Sequence, residues 1–441
     1  MNTTLSRSLR WLRHAAALSC AVLVMALPLL ASAADTIRLG VLYDLSGPLA
    51  GAGSVAGSVG TQIAIDMVNE KGGVLGKYKV VPVPGDAQSK PDVAINEAER
   101  LLNSENVDIL AGIYSSAQAV PLAPKIEAQH KFFWINIAVS AAVFKDRNLR
   151  YVFRPQVSTD SYGQVSVDFV AKEAESRLKM KPNQVRVAII HEDGPYGTSM
   201  AESNLAAAKG YGMQVVHQEA YSLSAPDLSA MVIKLKRARP DVILHTGYNP
   251  DITLFLRQSK ELGLRWKALI GHGAGYGQID KLVEAFGSDV DYLYNVDPVA
   301  AQLLDPKTLA PGLGDLTAEF IKRYKAKTGA HEAPPHASMG FNHTWILLNE
   351  VLPRAIQKYG GWDAEALRKA ALDLDIPTGG TIQGYGVKFA PPGNSMAGQN
   401  LRALPVVMQY VKGKTYVAYP FEIKTIDAVI PLPDSSPYAA R

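Results

Sequence analysis

Continuous apolar runs rich in β-branched residues alternate with amphipathic helical stretches along most of this chain. Ile37–Tyr43 is such a run, and a helical pattern at Val55–Lys71 follows it and stops at Gly72-Gly73. Tyr78–Pro82 leads into Asp92–Asn103, Val107–Ile113 into Gln118–His130, and Phe132–Ile137 closes the series. Apolar strands separated by helices of this length predict a parallel sheet covered on both faces. The pattern then restarts. Val185–His191 leads into Ser199–Gly210, Gln214–Gln218 into Leu228–Ala238, and Asp241–Thr246 into Ile252–Gly263, with Lys267–Ile270 after it.

Between the two series lies YVFRPQVSTDSYG, Tyr151–Gly163, which lacks a Gly/Ser run and contains Pro155, so it predicts an extended passage between two lobes. Beyond Gly271 the order blurs. A short strand is expected at Asp291–Val296, helices at Leu316–Thr328 and Ser338–Tyr359, and a Gly-rich, β-branched stretch at Gly379–Phe389. A terminal hairpin is expected from Leu404–Val411 and Thr415–Tyr419 around Lys412-Gly413-Lys414. Passages near Arg154, Asp297 and Gly384 would make both lobes discontinuous, residues 34–154 with 298–384 and residues 155–297 with 385–441.

The first 33 residues read differently from the rest. Arg7, Arg10 and Arg13 precede an apolar core, Ala15–Leu30, and Ala31-Ser32-Ala33 supplies the small-residue pattern cut on export. The apolar run is shorter than the roughly 20 residues that span a bilayer, so it predicts a signal cleaved near Ala33 and an exported product. Cys20, the only cysteine, lies inside this segment. Thiol catalysis, disulfides and cysteine–zinc sites are therefore excluded from the mature chain.

Charge adds little beyond that. Setting aside the three signal arginines lowers the formal charge from +4 to +1, which points to no nucleic-acid partner. An apolar fraction of 47% excludes disorder, and about 400 mature residues exceed what one core usually supports.

Enzyme motifs are sparse. Gly51-Ala52-Gly53-Ser54-Val55-Ala56 satisfies G-x-G-x-x-A, but Asp44–Ala50 separates it from the strand and no acid stands where a ribose contact needs one. Gly76-Lys77 is followed by Tyr78 and so is no phosphate loop, and neither G-x-S-x-G nor H-E-x-x-H occurs. His331, His336 and His343 lack a carboxylate partner at metal-binding spacing. No cofactor, metal or catalytic residue is expected.

Several pieces, in order, carry a resemblance. They are VLYDLSGPLAGAG (from Val41), NEKGGVLG (Asn69–Gly76), GDAQSKPDVAINEAERLL (Gly85–Leu102) and AGIYSSAQAV (Ala111–Val120). IIHEDGPYG (Ile189–Gly197) and DLSAMVIKLKRARPDVILHTGY (Asp227–Tyr248) complete the set. With them the chain resembles the type I periplasmic binding proteins, in particular the branched-chain amino-acid (Leu/Ile/Val) binding family of ABC importers. The resemblance implies an α/β fold of two Rossmann-like lobes with parallel sheets joined by three hinge crossovers. It also implies capture of an amino acid or related small carboxylate between the lobes, delivery to an ABC permease in the inner membrane, and no catalysis. A ligand-sensing receptor of the same fold and an exported α/β enzyme are the alternatives.

The site residues follow from that resemblance and from local chemistry. Ser115 and Ser116 stand between a strand and a helix, where a hydroxyl beside free helix amides accepts a carboxylate or simply caps the helix. The family position matching Ser116 binds the ligand carboxylate, the one matching Ser140 hydrogen-bonds the ligand, and Ala138 fills a backbone-contact position. Tyr196 matches a residue that covers the ligand on closure, and Tyr248 has a family counterpart. Tyr43 lines the cleft or packs below it. The acid that pairs with the ligand ammonium in amino-acid binders is replaced here by Gly273. Asp297 is the leading substitute, ahead of Asp193 and Asp291; alternatively His272, with Tyr276, recognises a polar head group. Arg154, at the first passage, attracts an anionic solute or forms a hinge ion pair.

Overall fold

A computed structural model describes residues 36–440. The expected export signal, its expected cleavage site near Ala33 and Cys20 lie outside the described residues. The first sheet holds five strands in the order β2-β1-β3-β4-β5, all parallel: β1 Thr36–Tyr43, β2 Lys79–Asp86, β3 Ile109–Gly112, β4 Phe132–Ile135 and β5 Val152–Phe153. Between these strands run α1 Val55–Glu70, α2 Pro91–Glu99 and α3 Ser116–Ala128.

The chain then passes to a second, seven-stranded sheet. Its elements are α4 Thr159–Glu173, β6 Arg186–Glu192, α5 Pro195–Gly210, β7 Gln214–Tyr221, α6 Ser229–Ala238, β8 Val242–Thr246, α7 Asn249–Leu262, β9 Ala268–His272, α8 Ile279–Phe286 and β10 Tyr294–Asp297. It returns to the first lobe with α9 Leu313–Thr328, α10 Pro335–Ile346, α11 Leu352–Tyr359 and α12 Ala364–Leu372. Finally β11 Val406–Val411 and β12 Lys414–Tyr419 complete the second sheet, in the order β12-β11-β10-β9-β8-β6-β7. The last two strands pair antiparallel through a tight turn in which Lys412 and Gly413 both take positive φ, as a two-residue hairpin requires.

Three expectations are revised. The strand expected to stop at Pro82 runs on to Asp86 through Pro84. It can do so because β2 is an edge strand, where a missing backbone N–H breaks no ladder. The passage expected to be extended through Gly163 is extended only to Ser158. Ser158 takes the extended N-cap conformation, and Asp160 sits in the first turn of α4, where the helix dipole favours an acid. The third passage lies beyond Gly384. Phe389 still packs edge-on against Trp134 and Phe153 of the first sheet, Gln399 bridges Arg154, and the second sheet begins only at Val406.

Helix α1 crosses α10 at very close range. A β-carbon on Gly60 would stand 2.1 Å from the Ala337 carbonyl oxygen, and one on Gly340 2.0 Å from that of Gly57. Only glycine allows this approach, and it sets the start of α10, including His336, against the glycine-rich loop before α1.

Candidate functional site

In open parallel sheets ligands gather beyond the carboxyl ends of the strands. Here the segments that follow β3, β4, β6, β8 and β9, with the end of β10, enclose a hollow with about 320 Å³ of atom-free space. Ser116, Tyr196, Tyr248, Gly273 and Asp297 line it, with Tyr114, Gln156, Tyr162, His336 and Met339.

Ser116 opens α3, where the helix amides have no intrahelical acceptor. Its Oγ accepts from the Ser140 amide at 3.1 Å, which leaves its own proton to donate. Ser115 is the N-cap; its Oγ accepts from the Ala117 amide at 3.2 Å and also bonds the Tyr248 hydroxyl. Ser140 caps a short helical turn through the Ala142 amide and Ala138 offers its carbonyl to Arg154, so both shape the wall without being among the residues that line it.

Arg154 is neither exposed to a solute nor part of an ion pair among the described residues. It is fully buried and donates to the carbonyls of Ala138 (3.0 Å) and Ser140 (2.8 Å) and to Gln399 Oε1 (2.6 Å), while its Nη2 has no partner. Burial lowers its pKa to about 9.

The second lobe supplies rings and a carboxylate. Tyr196 donates to the His272 carbonyl at 2.7 Å, and its ring lies 5.4 Å from that of Tyr248. Tyr114 meets Tyr248 at 6.1 Å and His336 edge-on at 5.4 Å. Asp297 is fully buried: Oδ1 accepts from Tyr162 at 2.6 Å, Asn295 also donates to the carboxylate, and Oδ2 has no partner. Burial raises its pKa to about 8.

Gly273 has φ +35°, a left-handed conformation in which side chains are strained. A β-carbon there would stand 3.3 Å from Asp297 Oδ1 and 3.5 Å from the Tyr196 hydroxyl. The Asp297 carboxylate thus occupies the space into which a side chain at 273 would project. Asp193 is exposed, and Asp291 binds the Lys412 amide; neither lines the hollow.

His272 and Tyr43 lie beneath the wall. His272 bonds Ser166, Thr246 and the His245 carbonyl, and burial lowers its pKa to about 4, so only its main chain serves the site. Tyr276, paired with it in the sequence reading, turns its hydroxyl to His245 at 2.6 Å. Tyr43 bonds Thr61 and Asn136. Tyr162 and His336 escaped the sequence reading because the first turn of α4 was read as part of the extended passage Tyr151–Gly163 and His336 was weighed only as a metal ligand. The loop glycines before α1 did carry a signal, since a β-carbon on Gly53 would stand 2.6 Å from His336 Nδ1.

Comparison with known proteins places the chain in a family. A family model described as periplasmic binding protein matches residues 36–405. The chain belongs to the periplasmic binding protein family. This binding protein is 34% identical over 409 residues to Leu/Ile/Val-binding protein homolog 7 of Brucella suis biovar 1, covering 92% of this chain and 96% of that one. The substrate-binding protein of a Streptococcus pneumoniae branched-chain amino acid transporter, solved with isoleucine, superposes with a TM-score of 0.69 at 17% identity, covering 87% of this chain and 100% of that one. A Rhodopseudomonas palustris solute-binding protein solved with 3,4-dihydroxybenzoic acid gives 0.69 at 18% identity, covering 90% and 99%. The two bound solutes share a carboxylate, and only isoleucine has an ammonium.

Proposed function

We infer that this protein is the periplasmic solute-binding component of an ABC importer, closing two lobes on an amino acid and delivering it to an inner-membrane permease without catalysis. The lobes are residues 34–154 with 298–384 and residues 155–297 with 385–441, the third boundary shifted to the stretch between Gln399 and Val406. One observation carries the reading: a helix-opening serine and a buried carboxylate with an unpartnered oxygen line the same hollow.

Ser116 and the amides of α3 suit the ligand carboxylate. Asp297 suits its ammonium, since an unpaired buried cation costs several kcal/mol and the lining holds no other carboxyl group. The rings of Tyr114, Tyr196 and Tyr248 add a cation-friendly wall. The Leu/Ile/Val-binding relative favours an aliphatic amino acid.

Calorimetry of residues 34–441 against leucine, its oxo-acid analogue and 3-methylbutylamine tests this. Leucine should bind, and each analogue should bind at least tenfold more weakly. Ser116→Ala should weaken leucine about tenfold, the loss of one charge-assisted hydrogen bond of roughly 1.5 kcal/mol, and lower the thermal midpoint as well, because the buried Ser140 amide loses its acceptor. Equal affinity for leucine and its oxo-acid would remove Asp297 from ligand recognition. Absence of binding by any amino acid would remove the reading itself.

A further inference from the structure

Beside the cleft lies a larger chamber, with about 940 Å³ of atom-free space, to which nothing above assigns a role. Both lobes build it. The second lobe provides Leu293, just before β10, with Met408 and Tyr410 of β11; the first lobe provides Leu303, Tyr324 and Glu332. A thin wall divides it from the cleft. That wall is Gly277, the Gln278–His336 hydrogen bond of 3.0 Å, and Asn295 donating to Asp297. A β-carbon on Gly277 would stand 3.2 Å from Asp297 Oδ2, so no side chain fits there.

Its chemistry is one-sided. Most of the surface is hydrocarbon and tyrosine ring, and two of its side-chain oxygens, Asn295 Oδ1 and Gln302 Oε1, are buried without a hydrogen-bond partner. The Nδ2 of Asn295 is committed to Asp297 and that of Gln302, its Nε2, to the Ala333 carbonyl at 2.8 Å, so the free valences are acceptors. Asp280 and Glu332 add negative charge from opposite lobes. The tyrosines register that field. Burial and then Asp280 push the Tyr324 hydroxyl up to about 12, and burial, Asp291, Asp280 and Glu332 push that of Tyr410 up. The lining cation, Lys281, pairs with Glu284 at 3.3 Å. Acceptors, acids and aromatic faces around an apolar interior complement a hydrogen-bond-donating cation with a hydrocarbon body.

We propose that this chamber is a second binding site, taking a primary organic amine with an apolar body between the two lobes, separate from the solute in the cleft. The ammonium donates to the buried amide oxygens and faces Glu332 and Asp280, while the body lies against Leu293, Leu303 and Met408.

The probe is 2-phenylethylamine, with 3-phenylpropanoate as the control of opposite charge, titrated calorimetrically into residues 34–441. The amine should bind and the acid should not compete with it. The double variant Asp280→Asn/Glu332→Gln should weaken the amine at least fivefold, and Leu303→Trp, which fills the chamber, should abolish its binding. Ser116→Ala and Asp297→Asn should leave amine affinity within twofold, whatever they do to leucine. No binding at millimolar amine would overturn the proposal. So would affinity that survives both chamber variants, or that falls in Asp297→Asn while surviving Leu303→Trp, since the amine would then sit in the cleft. Failure of leucine to bind would count against the function proposed above and leave these arms readable.

Discussion

Asp297 carries the sharpest consequence at the scale of single residues. Its pKa of about 8 comes first from burial, against the hydrogen bonds from Tyr162 and Asn295. The groups around it keep their charge state through the neutral range. Burial pushes Tyr114, Tyr162, Tyr196 and Tyr385 up and His336 down to about 4. An ammonium must then displace a proton, so leucine affinity should rise with pH, approaching tenfold per unit below 8, and level off above it. Calorimetry at pH 6, 7 and 8 in buffers of different ionisation enthalpy reads both the slope and the released proton. Without ligand the sign reverses for stability. Between the ordinary aspartate pKa and about 8 the native state holds more protons than the unfolded one, so this group lowers stability as pH rises. Asp297→Asn should therefore gain thermal midpoint over the parent at pH 8 relative to pH 5, and an equal gap at both would show that the carboxyl ionises freely.

Elements place these residues through backbone contacts that tolerate little change. The α1–α10 crossing holds His336 over the cleft and depends on Gly57, Gly60 and Gly340. Gly340→Ala drives a methyl into a carbonyl oxygen and should cost about 1–3 kcal/mol or more, as overpacking does. A fall in denaturation midpoint checks it, and no fall would mean that the helices are not held at this distance. At the first passage Arg154 serves as a buried strut, satisfying two carbonyls on the loop that carries Ser140. Arg154→Met leaves the Ala138 carbonyl unpaired, at about 1–3 kcal/mol by mutational precedent, and leaves that of Ser140 with the Val143 amide alone. Leucine affinity should fall along with stability, because the Ser140 amide holds the Ser116 hydroxyl.

At the scale of the whole molecule, hydrogen bonds between the lobes are sparse. Beyond those at the passages, Ala141 donates to Thr159 at 3.0 Å and to Ser199 at 3.1 Å, Gln278 meets His336 and Tyr248 meets Ser115. So few contacts let a bound solute decide the lobe equilibrium. Leucine should reduce the radius of gyration in solution scattering for the parent protein and not for Asp297→Asn; binding without compaction would show that the lobes do not move. Alternating strands and helices, the terminal hairpin and the serines before α3 were legible in the sequence because each is a local pattern of period, turn chemistry or capping. Ser116, Tyr196, Tyr248 and Asp297 were named from it, while His272 and Tyr43 turned out to lie beneath the wall, since a strand end does not reveal which way its side chain faces. What only the tertiary structure decided is which distant groups share one hollow. Asp297 comes from a hinge strand and fills the space beside Gly273, and Tyr162 and His336 come from elements far away in the chain. Burial then raises the carboxyl pKa and leaves one oxygen unpartnered, and neither can be read from an aspartate's neighbours in sequence, because desolvation is a property of the folded surroundings.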